Sequence, residues 1–345
     1  MKQLLIGDCH FGVKTNSVVW LNAQLTYFRT QIYDIIANEN VDRIVFLGDL
    51  TDIRYSIEQQ IGIELKNMIR EMLDKYKDKE FIMIAGNHDY FSPLEEFAQY
   101  NSYELLFGPE FLQCHPNLRF VNQEPYLSDD GSLFLPWYWT DNTDHFDELL
   151  YQFDMKHDVN AIFCHADLSV WPGARITSLY NKPVYSGHIH YIYEDEDANL
   201  YNLGAVFPLT FNDVNQDRFV YIINDDFKVD KKIKNITTFK FIRLYNEQIF
   251  DADDDVFHNS YTQLCITQKN IDSARYIDQI KYLRLTYPDA NIGIHIVDDD
   301  EIEELNKIST AGFNTNINKY IEENVPEHLN NKFEIIKQKI KELDI

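Results

Sequence analysis

The sequence predicts a layered α/β protein: a two-sheet sandwich with flanking helices, then a small α+β cap and a C-terminal helical docking segment. Three observations predict it. Short apolar runs of strand length recur through the first 190 residues, and stripes at helical spacing separate the early ones. Beyond residue 190, strand patterns follow one another without helices between them.

Residues 3–6 open the chain as a buried strand. Leu21, Leu25, Phe28, Ile32 and Ile35 then recur at helical spacing. The run at 44–47 is the next strand, followed by a helix carrying Ile57, Ile61, Leu65, Met68, Ile69, Met72 and Tyr76. Strands are expected at 81–84, near 132–137, at 161–164 and at 183–186, with a helix over 144–156. Runs at 191–193, 200–203, 219–223 and 238–242 are expected to complete a second sheet, closing the main domain, 1–245. The acidic stretch Asp251-Ala252-Asp253-Asp254-Asp255 opens a different unit, the cap at 246–304, with strands at 261–266 and 291–297 around a helix at 271–285. The tail, 305–345, carries Ile317, Tyr320 and Ile321, a break at Pro326, and a second stripe of Phe333, Ile336, Ile340 and Leu343. Two amphipathic helices of this kind can fold back on their own domain, but behind a polar tether they suit a partner's groove or coiled coil.

Composition narrows the class. A chain of 345 residues with 45% hydrophobic content, 22 Tyr and 23 Phe has ample material for more than one packed unit. Four isolated cysteines argue against a disulfide framework. No charged leader runs into an apolar stretch and no apolar run reaches membrane-spanning length, so a cytoplasmic protein without a membrane partner is expected. The formal net charge is −25, whereas a protein that grips nucleic acid alone normally shows a basic face. Lys14, Arg54, Arg175 and Lys182 are the basic residues near the motifs described next. Either the substrate is small, or a partner supplies most of the grip on a polymer.

Five blocks carry the chemistry, and each ends an apolar run: Asp8-Cys9-His10, Gly48-Asp49, Gly86-Asn87-His88-Asp89, His165, and Gly187-His188-Ile189-His190. Functional groups of an α/β scaffold collect in such loops at strand ends. Carboxylate oxygen, amide oxygen and imidazole nitrogen together suit a borderline divalent ion such as manganese, iron or zinc. Two carboxylates, one amide and four imidazoles, with His88 left over, fill two adjacent coordination shells if one carboxylate bridges; Asp49 is the candidate bridge. Two ions roughly 3.5–4 Å apart can clamp a phosphoryl group and acidify a water, which makes a phosphoester hydrolase the expected class. Taken singly, a Gly-Asn-His or a strand-end histidine is more often a turn or a satisfied polar group. The other six histidines have no such context, and Cys9 and Cys164 are read as small strand residues.

The order and spacing of the blocks resemble the calcineurin-like metallophosphoesterase superfamily. That resemblance implies that Asp8, His10, Asp49 and His190 hold one ion, while Asn87, His165, His188 and the shared Asp49 hold the other. It implies that His88 serves the phosphate or the leaving oxygen as a catalytic histidine, and that Asp89 orients His88. A narrower similarity is carried by Gly7-Asp8-Cys9-His10-Phe11-Gly12-Val13-Lys14, Gly48-Asp49-Leu50-Thr51-Asp52-Ile53-Arg54, Gly86-Asn87-His88-Asp89 and Ser186-Gly187-His188-Ile189-His190. This set looks like the SbcD-type DNA-repair nuclease branch, and most like the recombination endonuclease subunit of tailed phages. The similarity implies a metal-dependent DNA nuclease with two divalent ions, manganese first, with magnesium or iron as alternatives. It further implies an SbcC-type coiled-coil ABC ATPase as partner, bound through 317–345, in a two-plus-two assembly containing a homodimer. Two positions depart from the pattern: Asp52 stands where some relatives have histidine, and Thr51 replaces a common aromatic residue.

Two other functions stay open on these residues. A stand-alone phosphatase or cyclic-nucleotide phosphodiesterase fits the acidic charge but leaves the tail without a task. A metal-binding scaffold subunit of an ATPase complex fits the tail but makes little use of complete ligand blocks.

Overall fold

A computed structural model describes residues 1–52, 56–92, 99–137, 159–168, 182–210, 213, 217–236, 240–258, 260–288 and 290–298. The expected helix at 144–156 and the tail at 305–345 lie outside the described residues, as do Arg54 and Arg175.

Strands β1 (Gln3–Ile6), β2 (Arg43–Phe46), β3 (Glu80–Ile84) and β4 (Leu118–Val121) run parallel, with Gln3 beside Arg43, Arg43 beside Glu80 and Phe81 beside Leu118. This register brings the C-terminal ends of β1, β2 and β3 to one edge. Strands β5 (Tyr126–Leu127), β6 (Ser132–Phe134), β7 (Ala161–His165), β8 (Val184–Gly187), β9 (Tyr193–Asp195) and β10 (Leu200–Asn202) form a second sheet in the order β5-β6-β7-β8-β10-β9. Here β7 and β8 are parallel and His165 pairs with Gly187. Strands β11 (Phe219–Ile223) and β12 (Val229–Lys234) add antiparallel beside β1, so the first sheet reads β12-β11-β1-β2-β3-β4.

Of these, β1, β2 and β3 are buried on both faces, which is why they read as largely apolar runs rather than alternations. Leu5, Val45, Ile82 and Ile84 point between the sheets and meet Phe134, Phe163 and Tyr185. Leu4, Ile6, Ile44, Phe46, Phe81 and Met83 point the other way, into a core shared with the helices. Helix Gln59–Lys75 supplies Ile61, Leu65, Met68, Ile69, Met72 and Leu73, spaced to lie on one face. Truncating one of these, such as Leu65→Ala, would cost about 2–5 kcal/mol. Away from the site edge, the buried Arg43 donates to Glu80 Oε2 (2.6 Å), Asp130 Oδ2 (2.9 Å) and Ser132 Oγ (3.1 Å), tying the first sheet to the β5–β6 hairpin.

The expectation that all four runs between 191 and 242 complete the second sheet is corrected. Only β9 and β10 do. Val220 and Ile222 belong to the helix-side core and Tyr221 and Ile223 to the inter-sheet core, so this strand needs cover on both faces, and the place beside β1 provides it. The run expected at 238–242 falls instead in β13 (Lys240–Tyr245), which joins β14 (Ser260–Thr267) and β15 (Asn291–Val297) in a three-stranded sheet ordered β13-β14-β15. Strands β4, β5 and β12 and the helices Ser102–Leu106 and Gly108–Cys114 had no sequence expectation.

The chain divides into two compact units. One comprises Met1–Ile242, Asp254–Thr262 and Tyr287–Asn291; the other comprises Arg243–Asp253, Gln263–Thr286 and the chain from Ile292. Within the second unit, Leu264, Cys265 and Ile266 are buried with Ile249 and with Tyr276, Ile280 and Leu283 of helix Ala274–Thr286. Among the described residues no helix is long and apolar enough to cross a membrane.

Candidate metal centre

All five blocks meet at the edge where β1, β2, β3, β7 and β8 end. The first two loops are stitched together by backbone: Cys9 N and His10 N both donate to Asp49 O (3.0 and 2.9 Å), and Asp52 N donates to Phe11 O (3.0 Å). His10, Asp49 and His188 sit at positive φ (50°, 47° and 86°), conformations that persist only where surrounding contacts impose them. Gly86 and Gly187 permit the close approach of the strands. A Cβ on Gly86 would lie 2.3 Å from Asp49 N and Oδ1, and one on Gly187 would lie 2.2 Å from Asp8 Oδ1.

Two clusters result. In the first, ligand atoms of Asp8, His10 and His190 lie within 4.8 Å of one another, and His10 Nε2 faces His190 Nε2 at 3.1 Å. In the second, Asn87 Oδ1 is 2.9 Å from His165 Nε2 and 2.8 Å from His188 Nδ1. Asp49 stands between them, with Oδ2 3.6 Å from His10 Nε2 and Oδ1 3.3 Å from His165 Nε2.

Tautomers test whether these residues fit a cation. His165 Nδ1 donates to Leu47 O at 2.8 Å, so in the neutral ring the Nε2 lone pair faces the oxygens of Asn87 and Asp49. His10 Nδ1 donates to Asp52 Oδ1 at 3.0 Å, which leaves its Nε2 lone pair facing His190. Acceptors aimed at acceptors in a buried site repel unless a positive charge lies among them. The donor set therefore fits divalent cations, and in their absence protons take the place. Burial lowers the pKa of His165, but Asp49 and Asp8 outweigh it and raise the pKa to about 9. Burial, reinforced by Asp49, raises Asp8 to about 7 against the pull of His165 and His10. Of the two carboxylates Asp49 holds the charge: burial raises it, yet His165 and His10 drive it well below the usual range. Burial lowers His188 and His190 to about 4, which leaves them neutral at ordinary pH, as ligands must be.

His88 is half-exposed beside these clusters. Its backbone N–H donates to Asp49 Oδ1 (2.8 Å) and its Nδ1 to the Asp52 carbonyl (2.6 Å). The expected direct orientation of His88 by Asp89 is corrected: among the described contacts Asp89 makes none to the ring. Its carboxylate accepts from Thr51 N and Oγ1 (3.0 Å each), Gly86 N (2.9 Å), Leu50 N (3.3 Å), Ser102 Oγ (3.2 Å) and Tyr103 OH (3.3 Å). With its oxygens committed to two loops, Asp89 fixes the loop that carries Asn87 and His88, and Asp52 is the ring's direct partner.

Several supports had no motif to announce them. Gln24 Nε2 donates to Cys9 O (2.6 Å) and His10 O (3.2 Å), and Asn202 Nδ2 donates to Ile189 O and Tyr191 O (2.7 Å each). Arg218, buried beside Asp213, donates to the His190 carbonyl. A glutamine inside the apolar stripe Leu21, Leu25, Phe28 was the available signal for the first. Cys9 and Cys164 are buried thiols whose pKa burial raises; Cys9 donates to Gly7 O and Cys164 lies in β7.

Stacked sheets whose strand ends gather an oxygen–nitrogen donor set define a metal-dependent phosphoester hydrolase. The sequence profile of calcineurin-like phosphoesterases matches residues 1–287, and the chain belongs to that family, whose members use divalent metals. No curated protein matches the chain at a significant level. One solved structure is 13% identical, covering 68% of this chain and 98% of its own, with a TM-score of 0.38. A nuclease from Pseudomonas putida, MPE, is 14% identical over 66% of this chain and 86% of its own, with a TM-score of 0.31.

Proposed function

We propose that this protein is a DNA nuclease that cleaves phosphodiester bonds with two divalent ions, manganese by preference. Asp8, His10, Asp49 and His190 would hold one ion and Asp49, Asn87, His165 and His188 the other. The observation that carries the reading is Asp49, which presents one oxygen to each cluster. Bound ions would supply Lewis acidity toward phosphoryl oxygens and lower the pKa of a water. The chain's own residues do the rest. Asp52 fixes the His10 ring through Nδ1 and fixes the His88 ring through its carbonyl. With Nδ1–H committed to that carbonyl, His88 Nε2 is the atom left to serve the departing 3′-oxygen, and the doubly protonated ring is the form that hands it a proton and returns to the neutral Nδ1–H form.

The polymer substrate is supported by the motif resemblance and by the expected docking tail. The proposal includes an SbcC-type ABC ATPase bound through residues 317–345 in a two-plus-two complex, which would carry much of the DNA contact for a chain of net charge −25. That charge favours the second reading, a stand-alone phosphatase or cyclic-nucleotide phosphodiesterase.

The deciding experiment compares manganese-dependent hydrolysis of linear DNA and of a generic phosphomonoester by the parent protein and His88→Asn. The expected result is DNA cleavage with a poor monoester rate, and a kcat in the variant lower by about 10²–10⁴ with metal content unchanged. Brisk monoester turnover with intact DNA would replace the nuclease by the phosphatase.

A further inference from the structure

Lys14 follows the first metal-binding block, and its backbone is unusual. Lys14, Thr15 and Asn16 are three successive non-glycine residues in the left-handed region, at φ 56°, 58° and 57°. They follow Gly12 at φ 96°. Bulky residues rarely adopt this conformation singly, and a run of three persists only where its surroundings over-determine it. The surroundings do so here. Asn16 N donates to Gly12 O (2.8 Å), Ser17 N to Val13 O (3.3 Å) and Val13 N to His10 O (3.1 Å). Glu58 N donates to Asn16 Oδ1 (3.4 Å), and Asn291 Nδ2 to Ser17 Oγ (3.0 Å). The turn is thus pinned at both ends and tied directly to the His10 loop.

What the turn presents is an ammonium group. Lys14 Nζ lies over the Tyr261 ring, 5.1 Å from its centroid, a contact that holds a cation without neutralising it. Among the described residues Lys14 forms no ion pair. The carboxylates whose fields reach it, Asp52 and Asp213, are committed elsewhere, Asp52 to His10 and Asp213 to Arg218. Lys14 is also half-buried, and burial lowers its pKa against the pull of those two carboxylates. A chain with 56 acidic and 31 basic residues has no shortage of carboxylates for a lysine. Among the described residues this one pairs with none of them, although the field of Asp52, which orients both His10 and His88, reaches it.

We propose that Lys14 binds a backbone phosphate of the substrate strand next to the phosphate that is cleaved. The assignment rests on the nuclease reading above. It makes Lys14 a substrate-binding residue of the chain itself, independent of any partner. A phosphate supplies the anion that the ammonium lacks, and the strained turn fixes where that anion must sit relative to the metal centre. A monoester has no neighbouring phosphate, so this interaction favours a strand over a small substrate.

The test uses the full chain, a fluorescein-labelled single-stranded oligodeoxynucleotide and the variants Lys14→Met and Lys14→Arg. Binding is read by anisotropy without metal and cleavage by kcat/KM with manganese, each across a range of salt concentrations. Removing one lysine–phosphate pair from a single-strand complex lowers the slope of log affinity against log salt by about 0.7. That decrease is expected in Lys14→Met, with the parent slope retained in Lys14→Arg. Cleavage by the parent chain with an unchanged slope in Lys14→Met would overturn this assignment alone. A slope reduced equally in Lys14→Arg would overturn it too, because it would mark a damaged turn rather than a missing charge. An oligonucleotide left intact by the parent chain would overturn the nuclease reading, and this assignment with it.

Discussion

Asp52→Ala separates the support of a proposed ligand, His10, from the ligand itself. The Asp52 carboxylate lies 3.0 Å from His10 Nδ1, and the carbonyl of the same residue lies 2.6 Å from His88 Nδ1. Alanine removes the first interaction and keeps the second. Without the carboxylate, His10 can place its proton on Nε2, the atom that faces His190, and it becomes a poorer ligand. Carboxylates behind metal-bound imidazoles are worth about 10–100-fold in metal affinity, or about 1.4–2.8 kcal/mol. The Asp52 side chain is 25% exposed, so water replaces part of the missing bond and the effect belongs at the lower end, about tenfold. Calorimetric titration of the metal-free protein with manganese measures this directly. Asp52→Asn keeps an acceptor for the Nδ1–H and is expected to lose less. At saturating manganese the alanine variant should recover most of its kcat, because the His88 ring keeps its carbonyl partner. Equal manganese affinity in Asp52→Ala and the parent protein would refute the argument.

Gly86→Ala is expected to disrupt the centre without touching a donor atom, since its Cβ would collide with the Asp49 backbone and carboxylate. Thermal unfolding should show a loss of about 1–3 kcal/mol, and elemental analysis a reduced metal content; a fully loaded variant of parent stability would contradict this. Metal binding should strengthen as pH rises toward about 9, because His165 must surrender its proton, and Asp8, at about 7, contributes over the lower part of the range. Titration in buffers of different ionisation enthalpy counts the protons released, and a count of zero at pH 7 would refute it.

The donor positions are legible because each block is a local pattern: an apolar run, a small residue, then polar groups. Parallel strands place such blocks at one edge whichever helices intervene. What stays hidden depends on interactions between distant parts of the chain. Gln24 reaches Cys9 and His10 from a helix, and nothing near it in sequence says that two carbonyls need a donor there. The role of Asp89 is hidden for the same reason: adjacency to His88 suggests a pair, while folding commits its oxygens to Thr51, Gly86 and Tyr103. The destination of residues 219–223 is equally unreadable. A strand apolar on both faces announces that it is buried, but its place beside β1 is a property of the whole sheet.

The same buried acceptors that make the centre a cation site also tie the metal to the stability of the protein. His165 has a folded pKa near 9 against an unfolded value near 6.5, so its contribution is complete below 6.5 and is lost as pH rises through 9. Asp8, raised from 3.8 to about 7, favours the fold while protonated and loses that contribution as pH rises from 3.8 through 7. Both contributions run in one direction: the metal-free protein loses stabilising protons as the solution becomes alkaline. His188 and His190 run the other way. Their folded values near 4 give a contribution present above 6.5 and lost as pH falls through 4. Divalent ions supply the positive charge that the departing protons leave behind. A ligand that binds only the folded state stabilises it in proportion to its affinity, so the stabilisation by manganese should be larger at pH 9 than at pH 7. Melting curves at the two pH values, each with and without manganese, measure the difference. An equal shift at both would mean that protons and metal ions do not compete for the same buried charge, which would remove the electrostatic basis for placing the ions among these residues.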